Sequence, residues 1–273
     1  MGHPGSPDPK GGFAPGAPLG AGTSSEVRPV VLPDGRPAVL KRYRSHRAWR
    51  QARVALQEWG PRTDDRVRIP AVLAIEPDGP LTLLLERLPG VTPTTLDLPL
   101  ARSLGAALAA LHGVPVPDDD PLPLAGAAAA RMAGWLTRAR GYVEEELLAA
   151  VADCFHPEAL AGRRRAPCHR DVELANLLVG AGPPGLIDFE HARLDDPLID
   201  VVRTWDGRPL ADSPFTATLV GAWGHPAPES ALRAHGLLHG VATLCKAEQD
   251  GDPLRSQRAR HLLIEIMRTN NPP

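Results

Sequence analysis

The sequence is poor in cysteine and aromatic residues and has no long apolar run. Its 273 residues include three cysteines, none in Cys-x-x-Cys spacing, which argues against a disulfide framework or a zinc knuckle. No stretch approaches the roughly 18 consecutive apolar residues that a membrane span needs. The formal net charge of −2 lacks the basic excess typical of nucleic-acid binding. Since the first residues also lack a secretory signal, we expect a cytoplasmic globule, monomeric or weakly dimeric, that binds neither nucleic acid nor membranes.

Lysine is scarce as well. Of the 30 basic residues only Lys10, Lys41 and Lys246 are lysine, and the others are arginine. Arginine is a planar fork and lysine a compact point charge, so a lysine inside a predicted strand calls for a chemical explanation. Lys41 closes the strand-like run 37–41. We rank a chemical role for it above the alternative, a solvated residue at a strand end.

The pattern of apolar residues, glycine and proline divides the chain into three parts. Residues 1–18 are rich in proline and glycine and predict a flexible tail. Residues 19–88 follow the order strand, strand, helix, strand, strand, and the helix covers 46–59. Residues 89–273 are mainly helical, with one long helical stretch at about 122–152. We therefore predict an α+β fold with two lobes: a small antiparallel sheet with one helix, and a larger helical lobe, hinged near residue 88.

A glycine- and hydroxyl-rich turn opens the first lobe. Gly20, Gly22, Ser24 and Ser25 are predicted to let backbone amides and hydroxyls approach a phosphate group. The turn lacks the Gly-x-x-x-x-Gly-Lys pattern, so it does not indicate a P-loop.

The most informative segment is Cys168-His-Arg-Asp-Val-Glu-Leu-Ala-Asn176 followed by Leu186-Ile-Asp-Phe-Glu190. Two short apolar runs around a glycine-rich turn predict a hairpin that brings Asp188 beside Asn176. An amide oxygen and a carboxylate together suit Mg²⁺, which prefers hard oxygen ligands. Asp171 lies on the loop before the hairpin, where it can meet a substrate hydroxyl. The alternative is that these are solvated turn residues. That reading is better for any one of the three alone, but it is weak for all three together.

These residues resemble the catalytic and metal loops of the aminoglycoside phosphotransferase and choline kinase-like family, which is similar in architecture to protein kinases. The resemblance covers about residues 19–205. It rests on His169-Arg-Asp171 with Asn176 and on Ile187-Asp-Phe-Glu190, supported by Ala38-Val-Leu-Lys41, Leu83-Leu-Leu-Glu-Arg-Leu-Pro-Gly90, Leu108-Ala-Ala-Leu-His112 and Asp196-Pro-Leu-Ile-Asp200. The family commonly has glycine where Arg170 stands, and we expect this arginine to point away from the phosphate.

The resemblance implies a role for each matching residue. Asp171 becomes the catalytic residue at the substrate hydroxyl, and Asp200 a buried anchor for the catalytic loop. The implied cofactors are ATP or GTP with Mg²⁺. The residues that would hold them are Asn176 and Asp188 for the metal and Lys41, Gly20, Gly22, Ser24, Ser25, Glu86 and Leu88 for the nucleotide. The acid that pairs with the lysine in this family stays unassigned. Glu58, the only carboxylate of the first predicted helix, lies roughly opposite its apolar stripe, and aligning the following leucine instead places Gln51 where the family has glutamate.

The function expected from these residues is a kinase that phosphorylates a hydroxyl group of a small molecule, an aminoglycoside or another antibiotic. A kinase of a primary metabolite is the alternative, and a catalytically inactive binding module of the same fold is a weaker one. Only eleven residues separate Asp188 from Asp200, too few for the peptide-binding segment of a protein kinase. From residue 190 onward, 11 acids face 9 lysines and arginines, which does not decide the charge of the acceptor.

Overall fold

The structure is a computed structural model that describes residues 14–15, 20–21, 25–75, 81–205 and 213–268. Within these ranges, no helix has the length and apolar character needed to cross a bilayer. A sheet with one helix comes first along the chain, and mainly helical structure follows it. This is the α+β order that the sequence predicts.

The first part of the chain forms a six-stranded antiparallel sheet. Its strands are β1 (Ala14–Pro15), β2 (Gly20–Ala21), β3 (Ser25–Val31), β4 (Pro37–Tyr43), β5 (Val72–Ile75) and β6 (Thr82–Glu86). Strand β4 lies between β3 and β6, and Lys41 is opposite Val27 on one side and Leu83 on the other. The strand runs two residues beyond Lys41. Lys41 is therefore held inside the sheet and is not a strand-end residue.

Two short strands lie in the segment rich in glycine and proline. Strand β1 pairs with Val30 and Val31, and β2 pairs with the other end of β3. Part of the predicted flexible tail thus adds to the sheet, because proline and glycine can take extended backbone at a sheet edge. Residues 1–13 and 16–19 lie outside the described residues.

A single helix crosses between β4 and β5. Helix α1 (His46–Val54) begins at Ser45, whose hydroxyl accepts a hydrogen bond from the Ala48 amide at 3.2 Å. It continues as a π-helical turn (Ala55–Trp59) and a 3₁₀ turn (Gly60–Arg62). Trp59 at the end of the predicted helix is buried in the core.

Seven further helices make up most of the remainder of the described chain. They are α2 (Leu98–His112), α3 (Leu124–Ala139), α4 (Glu145–Cys154), α5 (Leu198–Arg203), α6 (Pro214–Trp223), α7 (Glu229–Asp250) and α8 (Pro253–Arg268). The prediction of one long helix at about 122–152 is wrong, since the helix is interrupted between the end of α3 and the start of α4. Gly141 has φ +81° there, a backbone conformation that ends a right-handed helix. Helix α6 was not predicted.

Four short strands in the second part carry the loops between the helices. They are β7 (Ala166–Cys168), β8 (Leu177–Leu178), β9 (Gly185–Leu186) and β10 (Arg193–Asp195). Strands β8 and β9 form the predicted hairpin, and β7 pairs with β10. The hairpin also bonds to the first part of the chain, because the Leu186 amide donates to the Arg68 carbonyl at 2.9 Å. The sheet and the hairpin therefore meet through backbone hydrogen bonds.

Close packing between helices α2 and α6 supports these loops. Helices α2 and α6 make the most extensive helix pair, and Gly105 of α2 lies at their crossing. A β-carbon at Gly105 would lie 2.3 Å from the Leu219 carbonyl oxygen, so only glycine allows this approach. The pair brings His112, the last residue of α2, next to Trp223, the last residue of α6.

Candidate active site

The loop that carries Asp171 is anchored by one buried carboxylate. Asp200 on α5 is fully buried, and its oxygens accept hydrogen bonds from the backbone amides of His169 at 2.8 Å and Arg170 at 2.6 Å. His112 lies 2.9 Å from the same carboxylate. Burial by itself raises the pKa of Asp200, but the hydrogen bonds from His112 and from the Arg170 amide lower it below its ordinary value. Asp200 therefore holds the loop as a carboxylate, as its expected anchoring role requires.

A second set of hydrogen bonds fixes His112 in turn. The Trp223 indole N–H donates to His112 Nδ1 at 2.8 Å. Because Nδ1 is then an acceptor, the proton of a neutral imidazole lies on Nε2, which faces Asp200. A buried series of hydrogen bonds thus runs from Trp223 through His112 to Asp200 and ends at the catalytic loop.

His169 links the catalytic loop to the segment that carries Asp188. It is fully buried, with its Nε2 atom 2.8 Å from the Ile187 carbonyl oxygen and its ring against Phe189 at 4.5 Å between centroids. Its Nδ1 atom accepts from the Asp171 amide at 3.2 Å. One imidazole therefore bridges the backbone before Asp188 and the backbone of Asp171.

Arg170 and Asp188 are the two non-glycine residues of the described chain with positive φ, at 64° and 69°. Such a conformation is costly for a residue with a side chain, and it persists where the surroundings enforce it. The Arg170 side chain turns to Asp195 on β10, with Nε 3.1 Å from a carboxylate oxygen. Burial lowers the pKa of Arg170 to about 9, partly against the effect of Asp195. The expectation that this arginine points away from the phosphate site is consistent with its pairing to Asp195.

Asp171 is partly exposed, and the next residue, Val172, lines a cavity. The Asn176 side-chain amide donates to the Asp171 carbonyl at 2.8 Å and to its carboxylate at 2.9 Å. The other carboxylate oxygen lies 3.8 Å from Arg203 Nη1 at the end of α5. Asp171 is thus oriented by an amide on one side and faces a guanidinium on the other.

The hairpin places Asp188 next to Asn176. The Ile187 amide donates to the Asn176 carbonyl at 3.0 Å, which sets the two side chains at the open end of the hairpin. Since the Asn176 nitrogen is committed to Asp171, its side-chain oxygen is the group left to bind a cation. An amide oxygen and a carboxylate are ligands that Mg²⁺ accepts, so the donor set fits the predicted metal.

Lys41 reaches this segment from the sheet. Its ammonium lies 2.5 Å from Asp188 Oδ1 and 3.5 Å from Glu190 Oε2, and the whole residue is 4% exposed. The Tyr43 ring lies on the same side, 5.0 Å from the ammonium to the ring centroid. Burial raises the pKa of Tyr43, with further contributions from the Asp188 and Glu190 carboxylates. The lysine charge is therefore held between two acids and an aromatic ring.

Glu190 is the residue that the sequence does not identify. No acid lies on α1, and Glu58 in the following π-helical turn is exposed. Glu190 is 5% exposed and sits in the 3₁₀ turn Phe189–His191, which packs against α1. The signal that could have found it is the absence of any carboxylate on α1 combined with an acid two residues after Asp188.

Four of the six other residues predicted to bind the nucleotide belong to the described part of the chain. Glu86 ends β6 and accepts a long hydrogen bond from the Ala71 amide at 3.3 Å, whereas Leu88 is buried. Ser25 is 3% exposed at the start of β3, and Gly20 is part of β2. Gly22 and Ser24 lie outside the described residues. The nucleotide contacts of these six residues stay predictions.

Cys168, which precedes His169, does not form a nucleophilic pair with it. The thiol is fully buried and donates to the carbonyls of Ala166 and Asp195. Burial, followed by the charge of Asp200, raises the pKa of Cys168 well above its ordinary value. A thiol without thiolate character is inert, which excludes a cysteine-based mechanism.

A cavity of about 390 Å³ opens beside Asp171. One wall is the catalytic loop with its 3₁₀ turn (Leu174–Asn176), and the others come from α5, α7 and the start of α8. The volume is that of a small-molecule site. Neither Lys41 nor Asp188 lines this cavity, so it is a candidate binding site distinct from the Lys41 cluster.

Comparison with known proteins agrees with this arrangement. A model of the phosphotransferase enzyme family matches residues 16–235, and none of the curated proteins compared matches the chain. A thermostable mutant of aminoglycoside phosphotransferase APH(4)-Ia, in ternary complex with AMP-PNP and hygromycin B, superposes with a TM-score of 0.70 at 20% identity, covering 97% of both chains. The GDP and kanamycin complex of APH(2")-IIia gives 0.69 at 18% identity and covers 93% of both chains.

A third similar structure is the macrolide 2'-phosphotransferase MphH from Brachybacterium faecium. It gives a TM-score of 0.66 at 19% identity and covers 94% of this chain and 92% of its own. At such identities the similarity shows a common fold. It confirms the predicted kinase-like architecture, in which a small sheet lobe precedes a larger helical one.

Proposed function

The chain belongs to the phosphotransferase enzyme family, and we propose that it transfers the γ-phosphate of ATP or GTP, with Mg²⁺, to a hydroxyl group of a small molecule. The observation that carries this proposal is the contact of 2.5 Å between Lys41 and Asp188. The contact brings the Lys41 ammonium, which suits phosphates, to the Asp188 carboxylate, which suits a metal. Asn176, the second predicted metal ligand, is hydrogen-bonded to Asp171, the carboxylate suited to a substrate hydroxyl. We propose residues 19–88 as the nucleotide lobe and 89–273 as the catalytic lobe.

Asp171 acts on the acceptor. Its carboxylate, oriented by Asn176, accepts the hydrogen bond of the substrate hydroxyl and aims that oxygen at the γ-phosphorus. As the new oxygen–phosphorus bond forms, the bond to the β-phosphate oxygen breaks, the hydroxyl proton passes to Asp171, and the nucleoside diphosphate leaves. Phosphoryl transfer needs little covalent help from the protein, so this positioning is the main contribution of the loop.

Asn176 and Asp188 would hold the metal, which when bound neutralises charge on the phosphates. Lys41 pairs with the α- and β-phosphates. Glu190 keeps a counter-charge beside Lys41 while Asp188 serves another ligand, since a buried ammonium is unfavourable without a partner. The site thus has separate carboxylates for the metal and for the lysine.

The short segment between Asp188 and Asp200 favours a small acceptor over a protein. The 3₁₀ turn, β10 and the start of α5 take up all of it except Ala192, Asp196 and Pro197, so no loop is left to hold a peptide. The solved relatives that contain kanamycin and hygromycin B support a hydroxylated small molecule. A binding module without activity is disfavoured, because Lys41, Asp171, Asn176 and Asp188 are all in place.

Calorimetric titration with AMP-PNP, with and without Mg²⁺, tests the proposal. We expect binding that depends on Mg²⁺ and a higher melting temperature when both are present. Asp188→Ala should lose the metal dependence and stay folded. Asp97→Asn is the matched control, since it changes an exposed helix cap that is not part of the Lys41–Asp188 cluster. Nucleotide binding that ignores both Mg²⁺ and Asp188→Ala would contradict the kinase assignment.

A further inference from the structure

The Asp171 carboxylate has a different neighbour at each of its two oxygens. The Asn176 side-chain amide donates a hydrogen bond to Oδ2 at 2.9 Å, and Oδ1 lies 3.8 Å from Arg203 Nη1. The second distance is longer than a hydrogen bond but short enough for an ion pair. Oδ1 is therefore held by charge, and its lone pairs stay open to a substrate hydroxyl.

Arg203 reaches Asp171 from the helix that also anchors the catalytic loop. Asp200 lies in the first turn of α5 and accepts hydrogen bonds from the His169 and Arg170 amides. Arg203, three residues later, is the last residue of that helix. Residues three apart in a helix lie on the same face. One face of α5 thus fixes the backbone before Asp171 and also supplies the cation beside its carboxylate.

The ion pair of Arg203 is made with Asp171 alone among the acids of the described residues. A second basic side chain near Asp171 is His191, and burial lowers the pKa of His191 below its ordinary value. Its imidazole is therefore mainly neutral at pH 7. The guanidinium of Arg170 is turned to Asp195. Arg203 is thus the residue that supplies positive charge to the Asp171 carboxylate.

We propose that Arg203 is a positioning residue for the transfer, which holds the Asp171 carboxylate in the orientation that meets the acceptor hydroxyl. This inference rests on the proposed function. The hydrogen bond from Asn176 holds one oxygen, but the carboxylate can still turn about the Cβ–Cγ bond, a torsion with a broad energy well. Arg203 attracts the other oxygen and limits this rotation. The two neighbours together fix the direction of Oδ1, on which alignment of the attacking hydroxyl depends.

The test compares Arg203→Met with Arg203→Lys in the full chain. Methionine keeps an unbranched side chain without charge, whereas lysine keeps the charge. The assay measures ADP release from ATP and Mg²⁺, with water, kanamycin and hygromycin B offered as acceptors. Melting temperature and AMP-PNP affinity are measured for every variant. Arg102→Met is the matched control, since Arg102 is exposed on α2 and does not line the cavity.

We expect Arg203→Met to lower the rate of ADP release at least tenfold and to leave the KM for ATP and the AMP-PNP affinity within twofold. Arg203→Lys should release ADP at least threefold faster than Arg203→Met, because it keeps a cation beside Oδ1. The control should match the parent. A purely structural role for Arg203 would instead lower the melting temperature and the AMP-PNP affinity together, without rescue by lysine.

A double-mutant cycle with Asp171→Asn tests whether Arg203 acts through Asp171. If it does, adding Arg203→Met to Asp171→Asn should slow ADP release less than twofold further. A parental rate in Arg203→Met, independent losses that multiply in the double variant, or no rescue by lysine would each overturn the inference. A parent that binds no AMP-PNP or releases no ADP defeats the proposed function. Parental binding and turnover that ignore Arg203→Met defeat the positioning role alone.

Discussion

Replacing Asp200 by asparagine should lower both the free energy of unfolding and the rate of turnover. Its carboxylate accepts three hydrogen bonds, with His112 and the His169 amide on one oxygen and the Arg170 amide on the other. Asparagine keeps the shape but offers one oxygen and one NH₂ group. If the oxygen stays toward His112 and His169, the NH₂ group faces the Arg170 amide, and two donors oppose each other.

The size of the effect follows from these contacts. A lost hydrogen bond to a charged group costs about 1.5–3 kcal/mol. Arg170 also has φ 64°, a conformation that costs roughly 1–2 kcal/mol for a residue with a side chain, and Asp200 helps to hold it. We expect Asp200→Asn to lower the free energy of unfolding by about 2–4 kcal/mol, which for a chain of this size lowers Tm by roughly 5–15 °C.

Relaxation of Arg170 would also move Asp171, the next residue. We expect kcat to fall by about 10² or more, because a small displacement of a positioning group is costly. Nucleotide affinity should stay within a few-fold, since the sheet still holds Lys41 and the hairpin bond between Ile187 and Asn176 still holds the segment of Asp188. Thermal melts and release of nucleoside diphosphate measure the two effects. Asp97→Asn is the control, because asparagine caps a helix as well as aspartate does. Parental Tm and kcat in Asp200→Asn would refute the anchoring argument.

Two further substitutions test the reacting groups. Asp171→Asn should keep nucleotide affinity within a few-fold and lower kcat by about 10² or more, because the amide accepts a proton poorly; turnover at the parental rate would show that Asp171 is not catalytic. Lys41→Arg should weaken both nucleotide affinity and turnover, since a planar guanidinium does not fit the buried site between Asp188 and Glu190; Arg42→Lys, exposed on the same strand, is the control and should change neither.

The features that the sequence predicts are mostly local. The hairpin of β8 and β9 follows from two apolar pairs around a glycine-rich turn, and it brings Asn176 and Asp188 together without any information from distant residues. The anchoring by Asp200 was expected only through the family resemblance, because its partners lie on a loop about thirty residues away. Residue pattern and resemblance thus cover different parts of the site.

The features that the sequence does not predict depend on tertiary packing. The break at Gly141 is an example, since an isolated glycine in an alanine-rich stretch is tolerated in a helix as often as it ends one. The cavity lining is another example, because it brings together charged residues from separate segments of the chain, among them Glu173, Arg203 and Arg255.

The pairing of Lys41 is the clearest example of a feature that depends on tertiary packing, and it connects the lysine to the predicted metal ligand. Both acids that hold Lys41, Asp188 and Glu190, belong to one short segment, which the His169 ring ties to the catalytic loop. Helix α1 carries no acid, so neither partner of Lys41 belongs to it, although the helix packs against the Phe189–His191 turn. The position of the lysine is set by the same segment that holds the predicted metal ligand, so the two halves of the phosphate site are assembled together.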